Sequence, residues 1–232
     1  MRFRLLQARA PGDPVRGEER VSFAAKMGID VDRVLPFDLL SEPYRRFDDG
    51  VDAVLVGGSG DWSVTDDAPW VAAFCDGLAE VSARRVPMFA SCFGFQALVV
   101  GLGGQVATDP SSAEVGSFDL TASAEALADP VFAELGASFV AQLGHKDRAT
   151  VLPSTVTLLA SSARCPYQAL RVTGAPVWAT QFHPELTMSE NQARYERYAS
   201  KYRAAFDADR PAPFRASRTE LLLRRFYEVV SA

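Results

Sequence analysis

Val86-Pro87-Met88-Phe89-Ala90-Ser91-Cys92-Phe93-Gly94-Phe95-Gln96 reads as a buried strand that turns sharply at a cysteine and continues as a helix. Val86, Met88 and Phe89 form the short apolar run of a strand covered on both faces, and Phe93 to Gly101 is an apolar, helix-length stretch closed by glycine. Cys92 therefore falls where the strand ends. A nucleophile on a strand-to-helix turn stands above the sheet edge, and a helix N-terminus lowers a thiol pKa through its dipole. The pattern small-x-nucleophile-x-Gly fits Cys92, flanked two residues away by Ala90 and Gly94, and not Ser91, flanked by Phe89 and Phe93.

Outward from this turn, 232 residues with 48% hydrophobic content suffice for one α/β domain, and we read residues 1–232 as a single unit. Phe3 to Ala8 reads as a first strand, about Glu18 to Met27 as a helix, and Val31 to Leu35 as a second strand. Val51 to Val56 is a buried strand ending in Gly57-Gly58-Ser59-Gly60. Thr65-Asp66-Asp67 before Pro69 then opens a helix carrying Trp70, Phe74, Leu78 and Val81 on one face, with Cys75 beside that stripe as a core residue. Alternating strands and helices predict a parallel sheet covered on both faces.

From Gln105 to Leu120 and from Phe139 to Gln181 the segments are short, alternating and punctuated by Gly, Pro, Ser and Asp, which predicts antiparallel hairpins beside that sheet. Asp129-Pro130 opens a helix of one or two turns. Residues 187 to 232 read as a helical extension. Thr187 to Glu190 matches a capping box, Tyr195, Tyr198, Tyr202 and Phe206 share a helix face, and Ser217 to Glu220 is a second box after the Pro-rich stretch from Arg210 to Phe214.

The second chemical stretch is Trp178 to Leu186, W-A-T-Q-F-H-P-E-L. Pro184 disfavours helical angles at His183, and in an extended chain residues i and i+2 share a face, so His183 and Glu185 stand side by side. A carboxylate there can accept the imidazole N–H and turn the other ring nitrogen toward a thiol. Cysteine, histidine and an orienting acid are the parts that nucleophilic acyl transfer requires.

Composition narrows the alternatives. A net charge of -5 without a long basic run argues against a nucleic-acid surface. Three cysteines without a C-x-x-C pair and two histidines give neither a disulfide framework nor a spaced zinc site, and suit a reducing cytoplasm. The N-terminal apolar run is far shorter than the roughly 7 to 15 residues of a signal-peptide core, and no span long enough for a membrane is present. Gly57-Gly58-Ser59-Gly60 lacks the Gly-Lys-Ser/Thr ending of a phosphate loop, so no ATP chemistry is expected in this chain, and a cysteine–histidine–carboxylate mechanism needs no metal or organic cofactor.

S-C-F-G-F-Q around Cys92, Q-F-H-P-E from Gln181 to Glu185, and G-G-S-G after the third strand, in this order, resemble class I glutamine amidotransferases, in the style of the glutaminase domain of GMP synthase and its stand-alone relatives. The resemblance covers about residues 51–186. It implies a flavodoxin-like, mostly parallel α/β sheet with flanking helices and an added antiparallel hairpin region. It also implies a triad of Cys92, His183 and Glu185, an oxyanion hole from the N–H groups of Gly58 and Phe93, and a substrate pocket shaped by Gln96 and Ser59. Gly144-His145-Lys146-Asp147 resembles a His-x-Asp segment at the active-site rim, leaving His145 either a substrate contact or a solvated loop residue. The sequence departs from the family at Ala90, commonly glycine, and at Ser59, commonly proline in the synthase enzymes.

The implied activity is release of ammonia from the glutamine side chain through a thioester, with a separate synthase subunit receiving it. The segment after Glu185 reads as two helices, too little for a synthase domain, so transfer is expected in trans. A stand-alone hydrolase of γ-glutamyl peptides or amides, and a non-catalytic regulatory subunit, remain open at this level.

Overall fold

A computed structural model describes residues 1–42, 46–205 and 211–232, with side chains to be read up to residue 200 and again from 211. Strand β1 (Phe3–Ala8) is flanked by β2 (Val34–Asp38) and β3 (Ala53–Ser59), and β4 (Met88–Ser91) follows; all three pairings are parallel. Beyond β4 lies β11 (Val177–Thr180), also parallel to it. From β11 outward the same nine-stranded sheet turns antiparallel through β10 (Ala169–Val172), β9 (Val156–Ser162), β6 (Glu114–Ala122) and β7 (Ser138–His145). β5 (Gln105–Thr108) and β8 (Asp147–Val151) make a separate two-stranded ribbon. The α/β architecture expected from the alternating pattern is the one observed.

Strand periodicity divides the core. Val54 and Val56 of β3 join one buried cluster while Ala53 and Leu55 join the other, and Met88 and Ala90 oppose Phe89 in β4 in the same manner. The first cluster is closed by α2 (Pro69–Ala83) and α3 (Phe93–Gly101), the second by α1 (Val15–Met27) and α5 (Leu221–Ser231). α1 stops at Gly28, whose φ of 70° allows its N–H to cap the last turn.

Several local expectations need correction. Val31 to Arg33 is a 3-10 turn, because the Asp30 carboxylate accepts the Asp32 N–H, and the strand begins only at Val34. The short helix opened after Asp129 is a single 3-10 turn (Ala133–Leu135), and the Asp129 carboxylate accepts the N–H groups of Val131 and Phe132 and the Trp178 indole N–H. β11, read among the hairpins, is a member of the parallel block.

The first capping box forms at the start of α4 (Met188–Ala205): Thr187 N–H donates to Glu190 at 2.7 Å, and Glu190 N–H to Thr187 Oγ1 at 3.3 Å. The second does not. Ser217 Oγ donates to Val140 O and accepts from Thr219 N–H, so it ties the chain to β7 instead, and α5 starts without a side-chain cap. On α4 the buried face is Asn191, Arg194 and Tyr198, while Tyr195 is only half-buried. Tyr202's side chain and the whole of Phe206 and Arg210 lie outside the described residues.

Candidate active site

The C-terminal ends of neighbouring strands β3, β4 and β11 carry the residues singled out in the sequence. In open α/β sheets this is where ligands bind, close to the point at which strand order reverses, here between β1 and β3. The pairing of Ser91 with Thr180 fixes the elbow beside the Gln181-to-Glu185 segment, and Cys92 N–H donates to Thr180 O at 2.7 Å.

Cys92 has φ 50° and ψ -101°, a conformation unfavourable for an L-residue with a side chain. Its neighbours hold it there. Ser91 completes the strand, Phe93 starts the helix, and Gln96 N–H closes the first turn on Cys92 O at 3.1 Å. A methyl at Gly94 would sit 2.6 Å from Val56 Cγ1 and 3.2 Å from the Ala90 methyl, so Ala90 fits because position 94 has no side chain. Phe93 stacks on Phe74 at 5.4 Å between centroids, fixing α3 against α2. As a first-turn group, the Phe93 N–H has no partner within the helix.

His183 and Glu185 do come together, but by a turn and not along a strand. β11 ends at Thr180, and Leu186 N–H closes on His183 O at 3.2 Å around Pro184-Glu185; proline's fixed φ suits the second position of such a turn. The His183 Nδ1 to Glu185 Oε1 distance is 2.7 Å, with both residues buried. A methyl at Gly58 would lie 2.9 Å from His183 Cε1 and 3.8 Å from Cys92 Cβ, which places the three strand ends in mutual contact. Burial opposes charge on His183, yet the Glu185 carboxylate and the Cys92 sulfur outweigh it, and its pKa is pushed up to about 10. Burial likewise opposes the Glu185 carboxylate, but His183 and then Arg194 hold its pKa below the ordinary value.

Arg194 was not read from the sequence. It reaches Glu185 Oε1 at 3.7 Å from α4, three residues after Asn191, whose amide donates to Gln142 Oε1 at 3.1 Å. That face of α4 is polar because it packs on the site, so a search for an apolar stripe selects the wrong one. The usable signal was the polar spacing of Asn191, Arg194 and Tyr198 at i, i+3 and i+7.

Cys92 opens into a cavity of about 260 Å³ whose lining includes Ser59, Trp62, Phe93, Gln96, His145 and Tyr198. Ser59 Oγ accepts the Trp62 N–H at 2.9 Å and shapes one rim; Tyr198 packs over Gly60 and donates to Asp13 at 2.6 Å. Gln96 donates to Asp147 O at 2.8 Å. His145 is no solvated loop residue: it ends β7, is 4% exposed, and its ring nitrogens meet Glu114 Oε2 and Asp147 O at 3.1 Å each.

Cys165, in the loop between β9 and β10, is buried beside Glu114 and His145, with a side-chain N, O or S atom from each of the three within 4.8 Å of the others. Its thiol donates to Ser112 O at 3.3 Å, and burial pushes its pKa up to about 12. Protein hydrogen bonds occupy both nitrogens of His145 and the thiol, so polar packing accounts for the grouping. Cys75 is a core residue, raised to about 11 by burial.

The fold and site thus define an α/β protein with a cysteine at a strand elbow beside a buried, carboxylate-backed histidine. The model of the family Glutamine amidotransferase class-I matches residues 25–199, and the chain belongs to that family. It is 29% identical over 169 residues to "GMP synthase [glutamine-hydrolyzing]" of Thermosipho melanesiensis, covering 72% of this chain and 30% of that protein. With the Porphyromonas gingivalis protein of the same name it shares 32% over 158 residues, 68% of this chain and 28% of that one. The chain thus spans under a third of the length of these relatives. A glutamine amidotransferase from Thermotoga maritima superposes with a TM-score of 0.74 at 16% identity, covering 99% of this chain and 97% of that one. A protein from Thermoplasma acidophilum described as a GMP synthase subunit gives 0.70 at 17%, covering 100% and 94%. Among the described residues no helix is long and apolar enough to cross a membrane.

Proposed function

We propose that this chain hydrolyses the side-chain amide of glutamine with Cys92 as nucleophile, His183 as acid and base, and Glu185 as orienting carboxylate. The observation that carries this reading is the buried 2.7 Å His183–Glu185 contact beside a cysteine at positive φ on the floor of a cavity. Cys92 sulfur attacks the amide carbon, and the C–N bond breaks as His183 gives its proton to the departing ammonia. A thioester is left. His183 then takes a proton from water, hydroxide adds to the thioester, and glutamate leaves with the thiolate restored.

The N–H groups of Gly58 and Phe93 are the proposed oxyanion donors, one worth typically about 2.7 to 4 kcal/mol of transition-state stabilisation. Gln96, Ser59 and His145 line the cavity as the proposed substrate-side residues. The sequence relatives are named as GMP synthases and one structural neighbour as a synthase subunit; on that likeness we assign the ammonia to a synthase partner on another chain. The direct test is glutamate release from glutamine by the purified chain and its loss in Cys92→Ala. Unchanged turnover in that variant overturns the reading.

A further inference from the structure

The segment that supplies His183 also contains Gln181, a side chain with no role in the mechanism above. It is wholly buried, and its Nε2 lies 3.7 Å from Cys92 Sγ. We propose that Gln181 is a further catalytic residue, whose amide N–H hydrogen-bonds the Cys92 sulfur and stabilises its thiolate form. The inference rests on Cys92 being the nucleophile.

The orientation of the amide carries the argument, since a Gln181 turned end for end would aim its oxygen at the sulfur and oppose the thiolate. Asp147 O is a backbone carbonyl and can only accept. It faces Gln96 Nε2 at 2.8 Å, so Gln96 presents its NH2 group there. That same NH2 group lies 3.1 Å from Gln181 Oε1, which must therefore be the oxygen end. Gln181's own NH2 is then turned to Cys92.

The start of this chain of bonds is itself held in place. His145 Nδ1 donates to the same Asp147 O, while His145 Nε2 and the Gln168 amide both meet Glu114 Oε2. Gln168 O also accepts the Gln181 backbone N–H at 2.8 Å. His145 thus shares with the Gln96 amide the carbonyl that orients it. A buried N–H beside a thiolate favours the charged form, and the low dielectric around it strengthens the effect.

The test is the pH dependence of Cys92 alkylation by iodoacetamide in wild type, Gln181→Met and Gln181→Glu, alongside kcat and KM for glutamine. Gln181→Met removes the donor at similar length; Gln181→Glu puts a carboxylate in its place. Both are expected to move the alkylation midpoint upward by about one pH unit or more, which at pH values below both midpoints slows alkylation by about tenfold, with kcat falling more than KM rises. A purely structural role would leave the midpoint in place. If both folded variants keep the wild-type midpoint, the inference is overturned, and Gln181→Asn, with its shorter reach, replaces a variant whose near-UV spectrum indicates misfolding. Cys92 inert to alkylation in wild type, with glutamine still hydrolysed by Cys92→Ala, would instead overturn the nucleophile assignment on which the inference rests.

Discussion

Glu185 Oε1 meets His183 Nδ1 at 2.7 Å across a proline turn, and the same oxygen lies 3.7 Å from Arg194 on α4. The carboxylate is thereby held between an imidazole and a guanidinium, all three buried. A carboxylate so placed stays charged and fixes the imidazole ring with Nε2 available to the sulfur side.

Substitution of the pair separates its two roles. His183→Ala is expected to abolish glutamine hydrolysis, and Glu185→Gln to leave residual activity, lower by roughly 10³ to 10⁴-fold, because a neutral isostere keeps contact but not charge. Steady-state glutamate release in proteins matched by circular dichroism measures both. Near wild-type turnover in His183→Ala would require another base.

The three cysteines give a second check. A diazo-ketone analogue of glutamine is expected to label Cys92 alone, because burial raises Cys75 to about 11 and Cys165 to about 12 and removes them from the cavity. Peptide mapping decides it; label on Cys165 with Cys92 untouched contradicts the assignment.

Stability should depend on pH through the same pair. Glu185, lowered on folding, stabilises the fold above its unfolded value of about 4.5, and that contribution is lost as pH falls through its folded value. His183, raised to about 10, contributes fully below its unfolded value of about 6.5 and loses its contribution as pH rises through 10. The Tm advantage of wild type over His183→Gln should therefore be greatest between roughly pH 4.5 and 6.5 and shrink toward pH 10. A difference that stays flat from pH 6 to 10 would contradict a charged imidazole.

Gly94→Ala tests the elbow. The added methyl meets Val56 at 2.6 Å, and overpacking of this kind costs about 1 to 3 kcal/mol, so Tm should fall by several degrees and activity with it. Calorimetry of Gly94→Ala and of Gly94→Ala/Val56→Ala reads the effect; the second variant should recover part of the activity if contact with Val56 is the cause.

Substrate choice is the last. If ammonia serves a synthase, glutamine hydrolysis by the isolated chain should be slow and rise when the partner binds, whereas a γ-glutamyl hydrolase needs no partner. Comparing kcat/KM for glutamine and for a γ-glutamyl dipeptide, with and without co-purifying protein, separates the two. A large preference for the dipeptide, unaffected by any partner, would favour the hydrolase.

The sequence by itself determined β1 and the elbow at Cys92, because these rest on local rules: an apolar run, and a glycine two residues past the cysteine. β1 was bounded to the residue, and the Thr187 capping box formed as written. What only the tertiary structure decided were relationships between distant segments. The turn that joins His183 to Glu185 depends on β11 ending at Thr180, where its register with β4 runs out. Arg194 is buried because α4 lies over the site, and a polar residue at helical spacing carries no mark of what will cover it. His145 ends β7 and is buried against Glu114 of β6, a pairing across a long sequence separation, and Cys165, although in the loop between β9 and β10, is buried beside the same glutamate. Local propensity is written in neighbouring residues, whereas burial of a polar side chain follows from which elements the packed sheet brings against it.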